Sequence, residues 1–193
     1  MDIDLKGKTP DIRRLKDIEN VIYDKEWLKT ADDFDLYYMY RGIEEKDNLR
    51  YDITIIPPKM LGKEFVKTKG HRHAGHYGEA YIVLEGEAIY LMQKEDETVK
   101  DAYAVKSGKG DVIIIPPYYG HVTINPSKDK ELKMANWVCN DCKSDYSPYE
   151  KKGGACYFYT EGGWIKNENY QNVPALRFEE PLESLPQDLN FLK

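Results

Sequence analysis

From Asp35 onward, apolar and polar positions alternate over many short segments. Turn signals such as Glu85-Gly86 and Asn125-Pro126-Ser127 separate these segments. The predicted strands span residues 36–41, 50–56, 64–69, 80–84, 88–93, 102–105, 111–115, 122–125, 132–139, 154–160 and 164–165. Many short strands without a long helix between them are typical of a sandwich or barrel. The pattern therefore predicts an all-β fold.

The first 33 residues follow a different period. Thr9-Pro10 is a typical start of a helix, with a capping hydroxyl and a proline at the first helical position. Four apolar residues then follow at helical spacing, namely Ile12, Leu15, Ile18 and Ile22. Residues 24–29 predict a second short helical turn. We predict a short N-terminal helical arm that packs on the strands.

The length of 193 residues predicts a single domain with a substantial core. We expect the core at about residues 34–165, the arm at residues 1–33 and a C-terminal tail at residues 166–193. The tail contains several prolines and scattered apolar residues, so we expect it to lie extended over the surface or over a partner subunit.

Three of the four histidines lie within residues 68–79, a segment that ends in a carboxylate. If this segment is a strand, His71 and His73 point to the same face, with their Cα atoms about 6.6 Å apart. Two glycines let the chain curl back towards Glu79, and His121 follows a later strand-like segment. Imidazole and carboxylate ligands together suit a divalent first-row transition metal rather than calcium or magnesium. We predict one metal site formed by His71, His73, Glu79 and His121.

The spacing also matches the two-part signature of cupins. Glu79 is followed after six residues by Gly86, and Gly110 is followed after five by Pro116, with His121 in register. Within cupins, residues 68–74 and 116–121 resemble the metal-dependent glucose-6-phosphate isomerases first known from archaea. The resemblance covers roughly residues 13–146. It implies a cupin jelly roll and an enzyme that interconverts glucose 6-phosphate and fructose 6-phosphate, as in glycolysis and gluconeogenesis.

The resemblance also implies roles for individual residues. Glu79 is the expected base that moves a proton between C1 and C2 through a metal-stabilised enediolate, although a hydride shift stays open. The positions that hold the phosphate in these isomerases correspond to Tyr37, Thr54, Thr68, Gly70 and Tyr81. Some relatives place a tyrosine and a histidine after the last core strand to help open the sugar ring, and this chain has Trp137 and Ser144 there.

Two residues are candidates for the missing ring-opening group. Tyr146 follows the last core strand, and His76 lies between the ligands His73 and Glu79. His76 is equally well interpreted as a solvated residue without a role. On the alternation of a strand, Lys69 and Arg72 are expected to be exposed on alternate faces rather than to bind substrate directly.

Two other functions fit the same metal ligands. A cupin dioxygenase uses three histidines and one glutamate to activate O₂, but it gives no reason for the threonines and tyrosines that suit a phosphate. A non-catalytic sugar-binding cupin would use the metal as a structural or sensor contact. Conversion of fructose 6-phosphate without oxygen, abolished by a chelator, distinguishes the isomerase from both.

Charge and composition set the remaining expectations. The net charge of −6 argues against a nucleic-acid or membrane binder, so an anionic substrate needs a local binding site. The chain shows no export signal and no run of transmembrane length, which favours the cytoplasm. The chain has an odd number of cysteines, and none has a clear role; they are Cys139, Cys142 and Cys156. We expect a homodimer with one divalent metal per subunit, iron(II) ahead of manganese, nickel or zinc.

Overall fold

The computed structural model describes residues 4–193, so the first three residues of the predicted arm lie outside it. The strands are β1 (Asp11–Arg14), β2 (Asp35–Lys46), β3 (Leu49–Ile56), β4 (Met60–Leu61), β5 (Glu64–Phe65), β6 (His71–Ala74), β7 (Glu79–Glu85), β8 (Glu87–Glu95), β9 (Val99–Gly108), β10 (Val112–Ile115), β11 (Tyr119–Ile124), β12 (Leu132–Cys139), β13 (Lys143–Asp145), β14 (Tyr157–Thr160), β15 (Gly163–Lys166) and β16 (Arg177–Glu179). The helices are α1 (Lys25–Leu28) and α2 (Ser147–Lys152), and 3₁₀ turns occupy Leu15–Asp17, Glu19–Val21 and Asn190–Leu192.

Two six-stranded sheets form the body of the molecule. The first sheet has the order β1-β2-β3-β12-β7-β10, and the second has the order β13-β6-β11-β8-β9-β16. The main apolar core combines side chains of both sheets, and Tyr90 on β8 donates a 3.3 Å hydrogen bond to the sulfur of Met134 on β12. A smaller sheet, β15-β14-β5-β4, adds to one side. The all-β fold predicted from the alternation is confirmed.

Most predicted strands agree with the structure to within a few residues. Strand β12 has the bounds that the alternation predicts, because its two faces differ and it is paired along both edges, with β3 and β7. The predicted strand at residues 64–69 is wrong beyond Phe65. The following residues run irregularly along β11, where the backbone N–H of Thr68 donates to the carbonyl oxygen of Thr123 at 2.8 Å.

The prediction of a helix that begins at Thr9-Pro10 is also wrong. Residues 11–14 form β1, which pairs antiparallel with β2 and leaves Ile12 46% exposed. The side chain of Asp17, which a helix would carry in its interior, instead accepts a 2.8 Å hydrogen bond from the backbone N–H of Arg14 and starts a 3₁₀ turn. Successive turns then bury the remaining apolar residues of the predicted stripe, Leu15, Ile18 and Ile22. The second turn is confirmed as α1, capped by Asp24.

The C-terminal segment is extended, as predicted, and is attached at two places. Strand β16 pairs in parallel with β9 and forms the edge of the second sheet, and Leu192 is buried near the other end of the segment. Among residues 4–193, no helix combines the length and the apolar character needed to cross a membrane.

Candidate functional site

The four predicted metal ligands lie between the two sheets. His71 and His73 are on β6 of the second sheet, and β11 places His121 directly opposite His71. Glu79 is the first residue of β7 in the first sheet. The centre of the His121 ring lies 4.5 Å from that of His71 and 5.8 Å from that of His73. The two-residue spacing thus brings both imidazoles of β6 to the inner face, as expected for a strand.

One potential ligand atom from each of the four side chains lies within 4.8 Å of the others. The Oε2 atom of Glu79 is 3.2 Å from Nε2 of His73 and 3.5 Å from Nε2 of His121. This oxygen is buried and has no hydrogen-bond partner among the described residues. A buried carboxylate oxygen without a partner is costly, and a cation held jointly with the imidazoles would satisfy it. The donor set and its geometry therefore fit a divalent transition metal.

Burial keeps two of the three imidazoles neutral, which is the form that binds a metal. Burial, with the nearby charges of His73 and two arginines, lowers the pKa of His71 to about 3. Burial also lowers the pKa of His121 well below its ordinary value. Burial alone would lower the pKa of His73, but the neighbouring Glu79 and Cys142 raise it to about 10. Metal binding would therefore have to displace the proton of His73.

Three further contacts orient the ligands. The backbone carbonyl of Tyr77 accepts a 3.0 Å hydrogen bond from Nδ1 of His73, so Nε2 faces Glu79. Asn136 donates from Nδ2 to Oε1 of Glu79 at 2.7 Å, which leaves Oε2 to face the imidazoles. The hydroxyl of Tyr81 lies 3.2 Å from Nε2 of His121. Partners of this kind fix the direction of metal ligands.

A cavity opens from this cluster towards solvent. The empty space of the cavity and its open mouth measures about 680 Å³, which is in the range of small-molecule sites. Besides the four ligands, the predicted residues that line it are Tyr37, Thr54, Thr68, Gly70, Tyr81 and Tyr146. The structure thus brings together all but one of the predicted site residues.

Gly70 is required at its place in the cavity wall. Its φ of +82° lies in the left-handed region that favours glycine. A Cβ atom there would come within 2.6 Å of Cγ2 of Val122 and 2.7 Å of the ring of Tyr149. The loop before β6 therefore approaches the site closely with its backbone.

His76 is the predicted site residue that does not reach the cavity. Its side chain is exposed on the loop between β6 and β7, where it stacks on Tyr77 with ring centres 5.7 Å apart. Trp137 also points away, because alternation along β12 turns it to the outer face of the first sheet, against Tyr51. Ser144, opposite His73 on the neighbouring strand β13, does line the cavity.

Lys69 was expected to be exposed, and this expectation is wrong. Only 13% of its side chain is accessible, and Nζ pairs with Glu150 at 2.5 Å. Residues 66–69 do not form a strand, so alternation between two faces does not apply to them. The helix α2, which was not predicted, holds Glu150 in place. Arg72 is exposed as expected and pairs with Asp145 at 3.0 Å.

The sequence prediction missed several polar residues of the cavity wall. They come from the inner faces of β2, β3 and β12, and they are Arg41, Arg50, Asp52 and Asn136. Each alternates with apolar residues of the outer face, a signal that was present in the sequence. The carboxylate of Asp52 accepts from Nε of Arg50 at 2.8 Å and from the backbone N–H of Gly42 at 2.8 Å.

The three cysteines are buried free thiols. Cys142 lines the cavity beside His73, whereas Cys139 points into a small apolar cluster that includes Leu49. Burial raises the pKa of Cys156 to about 12, so this thiol is not ionised at neutral pH.

An all-β sandwich that gathers three imidazoles and one carboxylate in an inner cavity has the arrangement of a metal-dependent cupin. The family model described as glucose-6-phosphate isomerase (GPI) matches residues 12–175, which is most of the chain. The chain therefore belongs to the glucose-6-phosphate isomerase family, in its archaeal cupin type. The family, the fold class and the isomerase class predicted from the sequence motifs are confirmed.

Curated relatives agree with this assignment. The glucose-6-phosphate isomerase of Thermococcus onnurineus is 32% identical over 160 residues, which cover 80% of this chain and 82% of the relative. The glucose-6-phosphate isomerase of Pyrococcus furiosus is 29% identical over 168 residues, which cover 84% of this chain and 87% of the relative.

Proposed function

We propose that this chain interconverts glucose 6-phosphate and fructose 6-phosphate in the cavity between the two sheets. The observation that carries the proposal is the convergence of His71, His73, Glu79 and His121 at one end of a cavity whose wall carries hydroxyl groups. The carboxylate and imidazoles would act at C1 and C2 of the substrate, where hydrogen is transferred. The hydroxyls would donate hydrogen bonds to the phosphate.

One divalent cation would be held by His71, His73, Glu79 and His121. We propose iron(II), with manganese, nickel and zinc as alternatives that accept the same ligands. The chemistry supplied by such a cation is Lewis-acid polarisation of adjacent sugar oxygens, which makes the neighbouring carbon-bound hydrogen more acidic. Asn136 and Tyr77 would keep two of the ligands in the binding orientation.

Glu79 is the residue to which we assign proton transfer between C1 and C2. Of residues 4–193, two carboxylates line the cavity, Glu79 and Asp52. Asp52 already accepts hydrogen bonds from Arg50, Arg41 and the backbone N–H of Gly42. Glu79 lies in the imidazole cluster, beside the place where C1 and C2 of the substrate would bind. This position supports Glu79 as the base.

The phosphate would be bound by the loop before β6 and the adjacent strands. Thr68 accepts a hydrogen bond from the backbone N–H of Thr123 at 3.0 Å, so its own hydroxyl hydrogen is free to donate. Thr54 and Tyr37 add hydroxyls, and the close backbone at Gly70 adds an N–H. Tyr81 lies nearer the imidazoles, where its hydroxyl would contact the sugar rather than the phosphate.

Tyr146 is the residue we assign to opening of the sugar ring. Its ring centre lies 5.5 Å from that of His71, in the cavity wall. Its phenol can donate a hydrogen to, or accept one from, the ring oxygen and the C1 hydroxyl of the closed sugar. The exposed position of His76 gives no support to a catalytic role for that residue.

An anaerobic coupled assay with fructose 6-phosphate tests the proposal. We expect glucose 6-phosphate to form without consumption of O₂, and a chelator to abolish its formation. In D₂O, proton transfer through Glu79 would leave deuterium in the product, whereas a hydride shift would leave none. Oxygen uptake with a keto-enol substrate would support the dioxygenase instead, and sugar phosphate binding without turnover would support a non-catalytic cupin.

The cellular setting and assembly complete the proposal. The chain would act as a single domain in the cytoplasm, a location that its three free thiols suit. It would form a homodimer through the outer face of the first sheet, which carries half-buried apolar side chains such as Ile55, Ile82 and Leu84.

A further inference from the structure

Four cationic side chains lie at or beside the cavity, and three of them are already paired. Arg41 contacts Asp11 at 3.0 Å and Asp52 at 3.4 Å. Arg50 contacts Asp52 at 2.8 Å, and Lys69 contacts Glu150 at 2.5 Å. Their positive charges are therefore largely neutralised before any ligand binds.

The fourth cation, Arg13, is different. It lies on β1 directly opposite Tyr37, which lines the cavity. Its guanidinium carbon is 5.7 Å from the ring centre of Tyr146, and its side chain contacts the hydroxyl of Tyr37. No carboxylate of residues 4–193 comes within 4.0 Å of it. Its Nε atom is buried without a hydrogen-bond partner.

A buried guanidinium nitrogen without a partner is costly, and an anionic oxygen would satisfy it. The protein carries a net charge of −6, so a dianionic substrate is repelled at long range and needs a cation in the site. Among the four cations, Arg13 is the one whose charge and planar donors are free for this purpose. A guanidinium can bind two phosphate oxygens at once.

We infer that Arg13 binds the phosphate group of the substrate together with Tyr37. The inference rests on the proposed function, and it gives the N-terminal strand β1 a direct part in the site. Arg13 acts as a binding residue that sets the preference for a phosphorylated sugar. It takes no part in the transfer of hydrogen between C1 and C2.

Arg13→Gln tests the inference, with Arg14→Gln as the matched control. Arg14 is the next residue of β1, is exposed, and pairs with Asp33 at 2.9 Å. For Arg13→Gln we expect KM for fructose 6-phosphate to rise at least about tenfold, with a smaller change in kcat. Inhibition by inorganic phosphate should weaken by a similar factor. Arg14→Gln should match the unmodified protein in both measurements.

Arg13→Lys keeps the charge but not the planar donors. We expect its KM for fructose 6-phosphate to lie between that of the unmodified protein and that of Arg13→Gln. If Arg13→Gln does not fold, Arg13→Lys carries the test, and a KM unchanged from that of the unmodified protein overturns the inference. Equal effects of Arg13→Gln and Arg14→Gln also overturn it, because the effect would then be one of overall charge.

Failure of the proposed function gives a different result. In that case the unmodified protein would not convert fructose 6-phosphate at all. Calorimetric binding of inorganic phosphate then still tests Arg13. Binding lost in Arg13→Gln and kept in Arg14→Gln supports the anion site, and equal binding by all three proteins contradicts it.

Discussion

The side-chain amide of Asn136 donates a 2.7 Å hydrogen bond to Oε1 of Glu79, and this contact separates the two oxygens of the carboxylate. Oε1 is held by β12, whereas Oε2 faces His73 and His121 without a hydrogen-bond partner in the described chain. The amide thus fixes which oxygen of Glu79 faces the imidazoles.

We expect Asn136→Ala to weaken metal binding and isomerase activity by about 10- to 100-fold, because Glu79 loses the contact that orients it. Metal affinity, measured by competition with a chromophoric chelator, and kcat/KM for fructose 6-phosphate check this. Asn140→Ala, in the exposed turn after the same strand, is the control. Unchanged metal affinity in Asn136→Ala would show that the contact does not orient the ligand.

Removal of the phenol of Tyr146 tests the assignment of ring opening. For Tyr146→Phe we expect kcat to fall by about 100-fold while KM changes little, since the ring that lines the cavity is kept. Steady-state kinetics with glucose 6-phosphate measure both constants. Tyr118→Phe, at a side chain that is 62% exposed, should leave both unchanged. Full kcat in Tyr146→Phe would remove Tyr146 from the mechanism.

The sequence predicts the metal cluster better than the rest of the cavity. The ligands are identified by residue type and spacing, because two-residue spacing on a strand sets a common face for His71 and His73. Arg13 has no such local signal, and alternation along β12 gives the face on which Asn136 lies but not its partner. Arg13 reaches the site through pairing of β1 with β2, and Asn136 reaches Glu79 because β12 lies beside β7.

Two of the wrong predictions, the helix at Thr9-Pro10 and the exposure of Lys69, have related causes. The apolar stripe from Ile12 to Ile22 fits a helix, but pairing with β2 satisfies the backbone of residues 11–14 at the edge of the sheet. Lys69 fits an exposed position in a strand, but its side chain is instead paired with Glu150 of the helix α2. In both cases a distant segment decides the conformation, which local periodicity does not reveal.

A buried ion pair ties the N-terminal segment to the site loop. Nζ of Lys67 contacts the carboxylate of Glu64 and donates to the carbonyl oxygen of Val21 at 2.8 Å. Glu64 also accepts from the backbone N–H of Tyr23 at 2.9 Å. Burial raises the pKa of Glu64 and lowers that of Lys67, so each charge depends on the other.

For Lys67→Met we expect a loss of about 3–5 kcal/mol in the free energy of unfolding, because Glu64 is left buried without its counter-ion. Urea unfolding followed by tryptophan fluorescence measures it. The double variant Lys67→Met, Glu64→Leu should recover most of the loss. A loss below about 1 kcal/mol in the single variant would contradict a buried, charged pair.

The C-terminal segment should detach in acid. Arg177 contacts Asp101 on β9 through two hydrogen bonds of 3.0 Å and 2.8 Å, and these lower the pKa of Asp101 below its ordinary value of 3.8. The contribution to stability is therefore present above that value and is lost as the pH falls through the lowered pKa. The pair is largely exposed, so we expect a contribution of at most about 1 kcal/mol.

Limited proteolysis of residues 174–182 between pH 6 and pH 2.5, with an acid-tolerant protease, checks this prediction. Cleavage should increase below about pH 4 in the unmodified protein. In Asp101→Asn, which cannot form the ion pair, cleavage should already be raised at pH 6 and should change less with pH. Equal pH profiles of the two proteins would contradict the role of Asp101.

The central claim is that three imidazoles and Glu79 hold one divalent cation on which turnover depends. The most direct test is anaerobic titration of chelated protein with iron(II), while isomerisation of fructose 6-phosphate and bound metal are measured together. We predict that activity rises in step with bound metal and saturates at one cation per subunit, and that His121→Ala neither binds the metal tightly nor recovers activity. Full turnover by metal-free protein, or by His121→Ala, would contradict the account.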